Sequence, residues 1–274
     1  MSNYFLHKKQ DHNIKHKQED ILKKKLSYKH HPNALNNKTV VTKKKVVNKK
    51  IDLSQYCSAV RDQGEEGCCT AFATIACMEF IEKKFNKNNY IDLSESFTYY
   101  ITRSFIMKES PVTDSGAYIS DVIDSLIKYG TCKLSTFPYV DNPLLEPPSN
   151  AYIEAKAYHV VQYANIISIE TMKSVLDAGY AIIGGFICYS NIHQSKNGII
   201  PLPNKDIIGG HAVLFVGYDD NTKLFKFKNS WGEFWGDKGY GYLPYEYFYH
   251  GDLTELWVIF IEDINNVHTG ISII

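Results

Sequence analysis

No run of apolar residues in the 274-residue sequence approaches the length of a membrane span. The opening MSNYFLHKKQ lacks the apolar stretch of a secretory leader, so the expectation is a cytoplasmic protein with no membrane partner. Cysteine is sparse, with six residues at irregular spacings. That spacing excludes a disulfide framework and a paired zinc pattern, and it suits a reducing compartment. No internal repeat is present. Net charge is also lacking, since 30 Lys+Arg face 30 Asp+Glu.

The charge that is there is unevenly placed. Residues 1–50 hold 14 Lys, 3 acidic residues and five of the ten His, and the rest holds 16 Lys+Arg against 27 Asp+Glu. A basic Lys/His/Asn-rich arm over 1–50 therefore precedes an acidic domain over 51–274. The arm shows no helical or strand periodicity and reads as loosely attached.

Beyond residue 50, periodicity takes over. Residues 69–85 are apolar nearly all round and end in Lys83-Lys84, as a buried helix with cations at its C-terminus does. AYISDVIDSLIKYG puts Ile119, Val122, Ile123, Leu126 and Ile127 on one helical face, with Gly130 as the stop. ETMKSVLDAG repeats that logic up to Gly179. Strand signals follow over 181–187, 211–217, 224–228, 240–243 and 256–261. Helices early and strands late predict a segregated α+β fold. Two lobes with a cleft between them follow from that segregation.

GCCTAF raises the chemical question. A thiol at a helix N-terminus or beside a histidine ionises more readily and becomes a strong nucleophile. Adjacent helical residues point about 100° apart, so only one of Cys68 and Cys69 can face a given partner. Both could equally be small buried hydrophobes. A base is available in GGHAVLFVGYDD, where His211 opens an apolar strand. An orienting amide is available in KNSWGEFWGDKGY, where Asn229 ends a strand just before Trp231. An amide oxygen that accepts from one imidazole nitrogen fixes the tautomer and leaves the other nitrogen for a thiol.

DQGEEGCCTAF, HAVLFVGYDD and KNSWGEFWGDKGY, in that order, resemble the signature blocks of the papain family of cysteine peptidases, and most nearly its short microbial and viral branch. The separation of Cys69 from His211 fits the roughly 130–150 residues typical of that family. The resemblance spans about residues 51–262. It implies a two-lobed papain-like fold, a mostly helical lobe over about 62–158 plus an antiparallel β-barrel-like lobe over about 159–262 with 51–61, with the active site in the cleft.

It also implies roles. Cys69 matches the nucleophile and Cys68 a bystander. His211 matches the base and acid, Asn229 the orienting residue, and Trp231 the aromatic lid. Gln63 matches the side-chain donor of the oxyanion hole. Gly116 and Ala117 match the backbone that lines an extended polypeptide substrate, and Gly210 matches the S2 wall. The implied activity is endopeptidase hydrolysis through a thioester, with no cofactor and no metal. For a viral source, association with the virion is a further expectation.

The chain departs from the family pattern in places. Glu66 and Asp114 stand where the family has a disulfide pair, and Thr70 stands where an aromatic residue usually follows the nucleophile. The arm does not resemble the long helical propeptide of lysosomal relatives. It has three readings: a short pro-segment whose cations lie on the acidic domain, a nucleic-acid-binding tail, or a solubilising tail. Two other functions use the same scaffold, namely an inactive binding module and a thiol acyltransferase or amidase.

Overall fold

The helix that begins at Cys69 organises the molecule. In the computed structural model, which describes residues 26, 28–29, 39–42, 46, 48–85, 90–110, 112–140, 142, 145–261 and 271–273, every residue of this helix from Cys69 to Ile81 is buried. Its sequence, CTAFATIACMEFIEKKF, has no polar face until the last turn. A helix of that kind is surrounded by protein on all sides. Lys83 Nζ donates to the carbonyl of Cys57 at 2.7 Å, and Lys84 Nζ donates to that of Gly179, so both terminal cations meet carbonyl oxygens.

In chain order the elements are β1 (Val40–Thr42), β2 (Lys50–Asp52), α1 (Cys69–Phe85), α2 (Glu95–Ile101), α3 (Ile119–Lys128), α4 (Ser149–Ala155), β3 (Gln162–Asn165), α5 (Ile169–Asp177), β4 (Ile182–Tyr189), β5 (Ile207–Asp219), β6 (Leu224–Lys228), β7 (Tyr240–Pro244), α6 (Glu246–Tyr249), β8 (Leu253–Phe260) and β9 (Ile271–Ile273). Ser94 caps α2 by accepting the Phe97 N–H, and Ser168 caps α5 by accepting that of Thr171. A π-helical turn over Thr102–Ile106 extends α2 and carries Arg103 into the interior.

Seven strands form one antiparallel sheet in the order β3-β8-β4-β5-β6-β7, with β2 added to β5. The long strand β5 is its axis, and α1 packs against it. The main core joins α1 and α3 to the inner face of the sheet, and a smaller core joins α2 to Phe137 and α4. This is the α+β arrangement expected from the sequence.

The arm differs from the expectation. Val40–Thr42 pair with Ile271–Ile273, and Tyr28 is buried, so at these points the arm is bound to the domain. Most of the remaining arm lies outside the described residues. Among the described residues, no helix is long and apolar enough to cross a membrane.

Candidate active site

The turn before α1 is built from polar contacts. Gly64 takes a positive φ of 59°, and its N–H donates to Asp62 Oδ1 at 2.9 Å. Gln63 is fully buried. Its N–H donates to Ser230 O at 2.9 Å, its Nε2 donates to Glu66 O at 2.8 Å, and its Oε1 accepts from Ser230 Oγ at 2.5 Å. The side-chain amide is thereby oriented from both ends. A β-bridge between Asp62 and Trp231 ties this turn to the segment after β6.

The two adjacent thiols have different surroundings. Cys68 Sγ lies 3.8 Å from Glu66 O and 3.5 Å from Tyr139 Oη. Burial first, and then the Glu66 carboxylate, push the Cys68 thiol pKa well above its ordinary value. Cys68 is therefore a protonated thiol packed among its neighbours. Cys69 is equally buried but lies within electrostatic reach of Cys188 on β4 and of Tyr28.

His211 sits on β5 opposite Phe186 of β4. Its Nε2 lies 2.7 Å from Asn229 Oδ1. The Ser230 N–H donates to that same oxygen at 2.8 Å, which fixes the orientation of the Asn229 amide. An oxygen facing Nε2 requires Nε2 to carry the proton, so the neutral ring keeps its free lone pair on Nδ1. Among the described residues, Nδ1 has no hydrogen-bond partner. The Trp231 indole stacks on the imidazole with centroids 4.5 Å apart and planes inclined by 29°, and Trp235 packs edge-on against Trp231. Burial pushes the His211 pKa down to about 4, against a smaller upward pull from the Asn229 bond.

Next to Asn229 lies a partly buried charged cluster. Arg61 donates to Glu79 at 2.8 Å and also reaches Glu95 and Asp92. Burial holds the Glu95 carboxyl above the usual carboxylate range despite the guanidinium beside it. Glu79, Glu95, Ala73, Ala212 and Asn229 line one small cavity between α1 and the sheet. Asn229 Nδ2 and Glu95 Oε2 are buried without partners among the described residues and belong to residues of that cavity. Ala73, one turn beyond Cys69, meets Ala212 and Asn229 there, which places the start of α1 against the strand that carries His211.

The two glycine-flanked backbone positions expected to meet substrate behave differently. The Gly116 N–H donates to Tyr99 Oη at 3.1 Å and its carbonyl accepts from Arg103, so both of its backbone groups point inward. The Ala117 carbonyl is the one that faces the arm, accepting the Lys29 N–H at 3.2 Å. The Gly210 carbonyl accepts the Tyr28 N–H at 3.0 Å. The Ala117 and Gly210 carbonyls are thus both taken by the main chain of the arm.

Sequence reasoning did not single out Tyr28 or Arg103. The one signal for Tyr28 is the apolar pair Leu26 and Tyr28 inside an otherwise basic stretch. Among the described residues, no group of three or more His, Cys, Asp or Glu is placed to hold a metal ion. All six cysteines are free and buried.

Residues 46–248 match the family profile described as papain family cysteine protease. An uncharacterised peptidase C1-like protein of Acanthamoeba polyphaga mimivirus is 37% identical over 228 residues, which are 76% of this chain and 71% of that protein. The viral cathepsin of Autographa californica nuclear polyhedrosis virus is 30% identical over 190 residues, 67% of this chain and 54% of the relative, so the chain spans about half of that relative's length. Among solved structures, xylellain, a cysteine protease from Xylella fastidiosa, superposes with a TM-score of 0.78 at 32% identity, covering 86% of this chain and 96% of its own.

Proposed function

Because this chain belongs to the papain family of cysteine proteases, we propose that it is an endopeptidase that cleaves polypeptides through a thioester on Cys69. The observation that carries this reading is the shared Asn229 oxygen, which commits the His211 proton to Nε2 and leaves Nδ1 as the only basic nitrogen.

In the proposed cycle the Cys69 thiol proton passes to His211 Nδ1, and the sulfur attacks the peptide carbonyl carbon. The imidazolium is held by Asn229 Oδ1 and covered by Trp231, which keeps water from that bond. The developing oxyanion meets the second hydrogen of Gln63 Nε2, whose first hydrogen is held by Glu66 O. It also meets the Cys69 N–H, which at the first position of a helix has no intrahelical acceptor. His211 then gives its proton to the departing amine as the C–N bond breaks. Water, deprotonated by the same nitrogen, attacks the thioester carbon and releases the acid and the thiol.

The main chain at Tyr28 and Lys29 occupies the channel a substrate would need, so the form described is held off by its own arm. Lys29 adds contacts to Ser115 and over the Tyr118 ring, which supports the pro-segment reading of the arm over the other two. The test is hydrolysis of denatured casein by the full-length protein, its Tyr28→Ala variant, and Cys69→Ala in each. The expected result is cleavage that rises with Tyr28→Ala and vanishes with Cys69→Ala. Cleavage that survives Cys69→Ala would refute the assignment.

A further inference from the structure

The stretch FPYVDNP sends one side chain to the turn that precedes α1. Tyr139 Oη donates to Gln63 O at 2.6 Å. The same hydroxyl lies 3.1 Å from Glu66 Oε2 and 3.5 Å from Cys68 Sγ. A single oxygen atom thus meets Gln63, Glu66 and Cys68 at once. Its ring packs edge-on against Phe72 of α1, with centroids 5.0 Å apart and planes inclined by 82°. The turn is therefore tied to the helix that Cys69 opens.

These contacts bear on the orientation of one amide. In the turn, the Glu66 N–H donates to Gln63 O at 3.3 Å, and Gln63 Nε2 donates to Glu66 O at 2.8 Å. The Glu66 carbonyl fixes one hydrogen of Nε2 and so aims the other. That aim depends on the spacing between the two ends of the turn. Tyr139 spans both ends, from the Gln63 carbonyl to the Glu66 side chain. Burial first, and then Cys68 and Glu66, push the Tyr139 phenol pKa far up, so the hydroxyl keeps the proton it donates. With that proton on Gln63 O, the contact to Cys68 is one in which the thiol donates.

We propose that Tyr139 is a positioning residue for transition-state stabilisation, clipping the Gln63–Glu66 turn so that the free Nε2 hydrogen of Gln63 is aimed at the developing oxyanion. The proposal rests on the peptidase reading of the same site. It also gives Cys68 a part, as a thiol that supports the Tyr139 hydroxyl and takes no share in the chemistry. Without the hydroxyl, the Gln63 amide keeps its Ser230 bond and loses its fixed spacing to Glu66 O. The donor is then misaimed and not removed. The loss in kcat is about tenfold, less than the roughly 10²- to 10³-fold of deleting an oxyanion donor.

The experiment takes full-length Tyr28→Ala as the parent and adds Tyr139→Phe, Gln63→Ala, or both. Tyr139→Phe keeps the ring against Phe72 and removes only the hydroxyl. Steady-state cleavage of dye-quenched casein is measured, with Tm as the check on folding. The expected result is kcat about tenfold lower in Tyr139→Phe at unchanged KM. Added to Gln63→Ala, the same change has no further effect, because no amide is left to aim. A residue that merely supports the fold would lower kcat by the same factor in both backgrounds. Iodoacetamide, which needs no oxyanion hole, alkylates Cys69 at equal rates in the parent and in Tyr139→Phe.

An unchanged kcat, an equal loss in the Gln63→Ala background, or a change confined to KM would each overturn the proposal. Slower alkylation or failure of Tyr139→Phe to fold would do so too, by assigning the hydroxyl to the nucleophile or to stability. Casein left intact by the parent removes the peptidase reading and this inference with it. Casein cleaved by the parent, with equal kcat in Tyr139→Phe, removes this inference and leaves the peptidase reading.

Discussion

The Asp114 carboxylate accepts the Gly67 N–H through both oxygens, at 2.9 and 3.1 Å. It also takes the Tyr99 hydroxyl at 2.8 Å. The loop before the nucleophile is thus fastened to the segment that reaches Ala117, at the place where the family resemblance would put a disulfide. On the other side, Tyr139 Oη donates to Gln63 O at 2.6 Å and reaches Glu66 at 3.1 Å. A charge-assisted hydrogen bond of this kind contributes about 1.5–3 kcal/mol. Asp114→Ala is therefore expected to lower Tm by roughly 5 °C and kcat by about tenfold, because the loop that carries Gln63 and Cys69 loosens. Calorimetry and steady-state kinetics read the two effects.

Asn229→Ala removes the oxygen that holds the His211 proton on Nε2. The expected outcome is a fall in kcat of about 10²- to 10⁴-fold with little change in KM, because the ring then samples the wrong tautomer. Nitrogen chemical shifts of His211 would show the tautomer change directly. A mutant with unaltered kcat would remove Asn229 from the machinery.

Gln63→Ala deletes one oxyanion donor and leaves the Ser230 hydroxyl without its acceptor. A loss of about 10²- to 10³-fold in kcat is expected. Substrate affinity should move far less, since the contact forms only as charge develops on the carbonyl oxygen.

His211 also makes folding pH-dependent. Its folded-state pKa is pushed down to about 4, below the roughly 6.5 of an unfolded chain. Between those values the unfolded state binds the extra proton, so stability is lost as pH falls from about 6.5 towards 4. The difference amounts to about 3 kcal/mol for this group. Urea titrations at pH 7 and pH 4.5 should show that loss in the wild type and a smaller one in His211→Gln. A loss of the same size in both would assign the pH dependence to other groups.

The elements of the candidate site were legible in the sequence because local pattern and chemistry coincide in them. The apolar run from Cys69, the strand opening at His211 and the strand ending at Asn229 each announce an element and a reactive group together. The choice between Cys68 and Cys69 was not available from periodicity, because helical spacing separates their directions without saying which partner each meets. The contacts of Cys68 with Glu66 and Tyr139 set the two thiols apart and support Cys69 as the proposed nucleophile. Gly116 and Ala117 are both small, so nothing local told which carbonyl turns outward, and the answer depends on Arg103 gripping Gly116. Arg103 and Asp114 act through partners remote in sequence or through loop backbone, which no periodicity records. The strands Val40–Thr42 and Gln162–Asn165 are too short to build an alternating pattern, and their partners, Ile271–Ile273 and the end of β8, lie far along the chain.

The direct measurement is alkylation by an epoxide inhibitor of thiol peptidases, applied to full-length Tyr28→Ala and followed by peptide mapping. The account predicts a single adduct on Cys69, none on Cys68, and loss of the adduct in His211→Gln. Modification of Cys68 instead, or a Cys69 that stays unreactive once the Tyr28 side chain no longer anchors the arm, would contradict it.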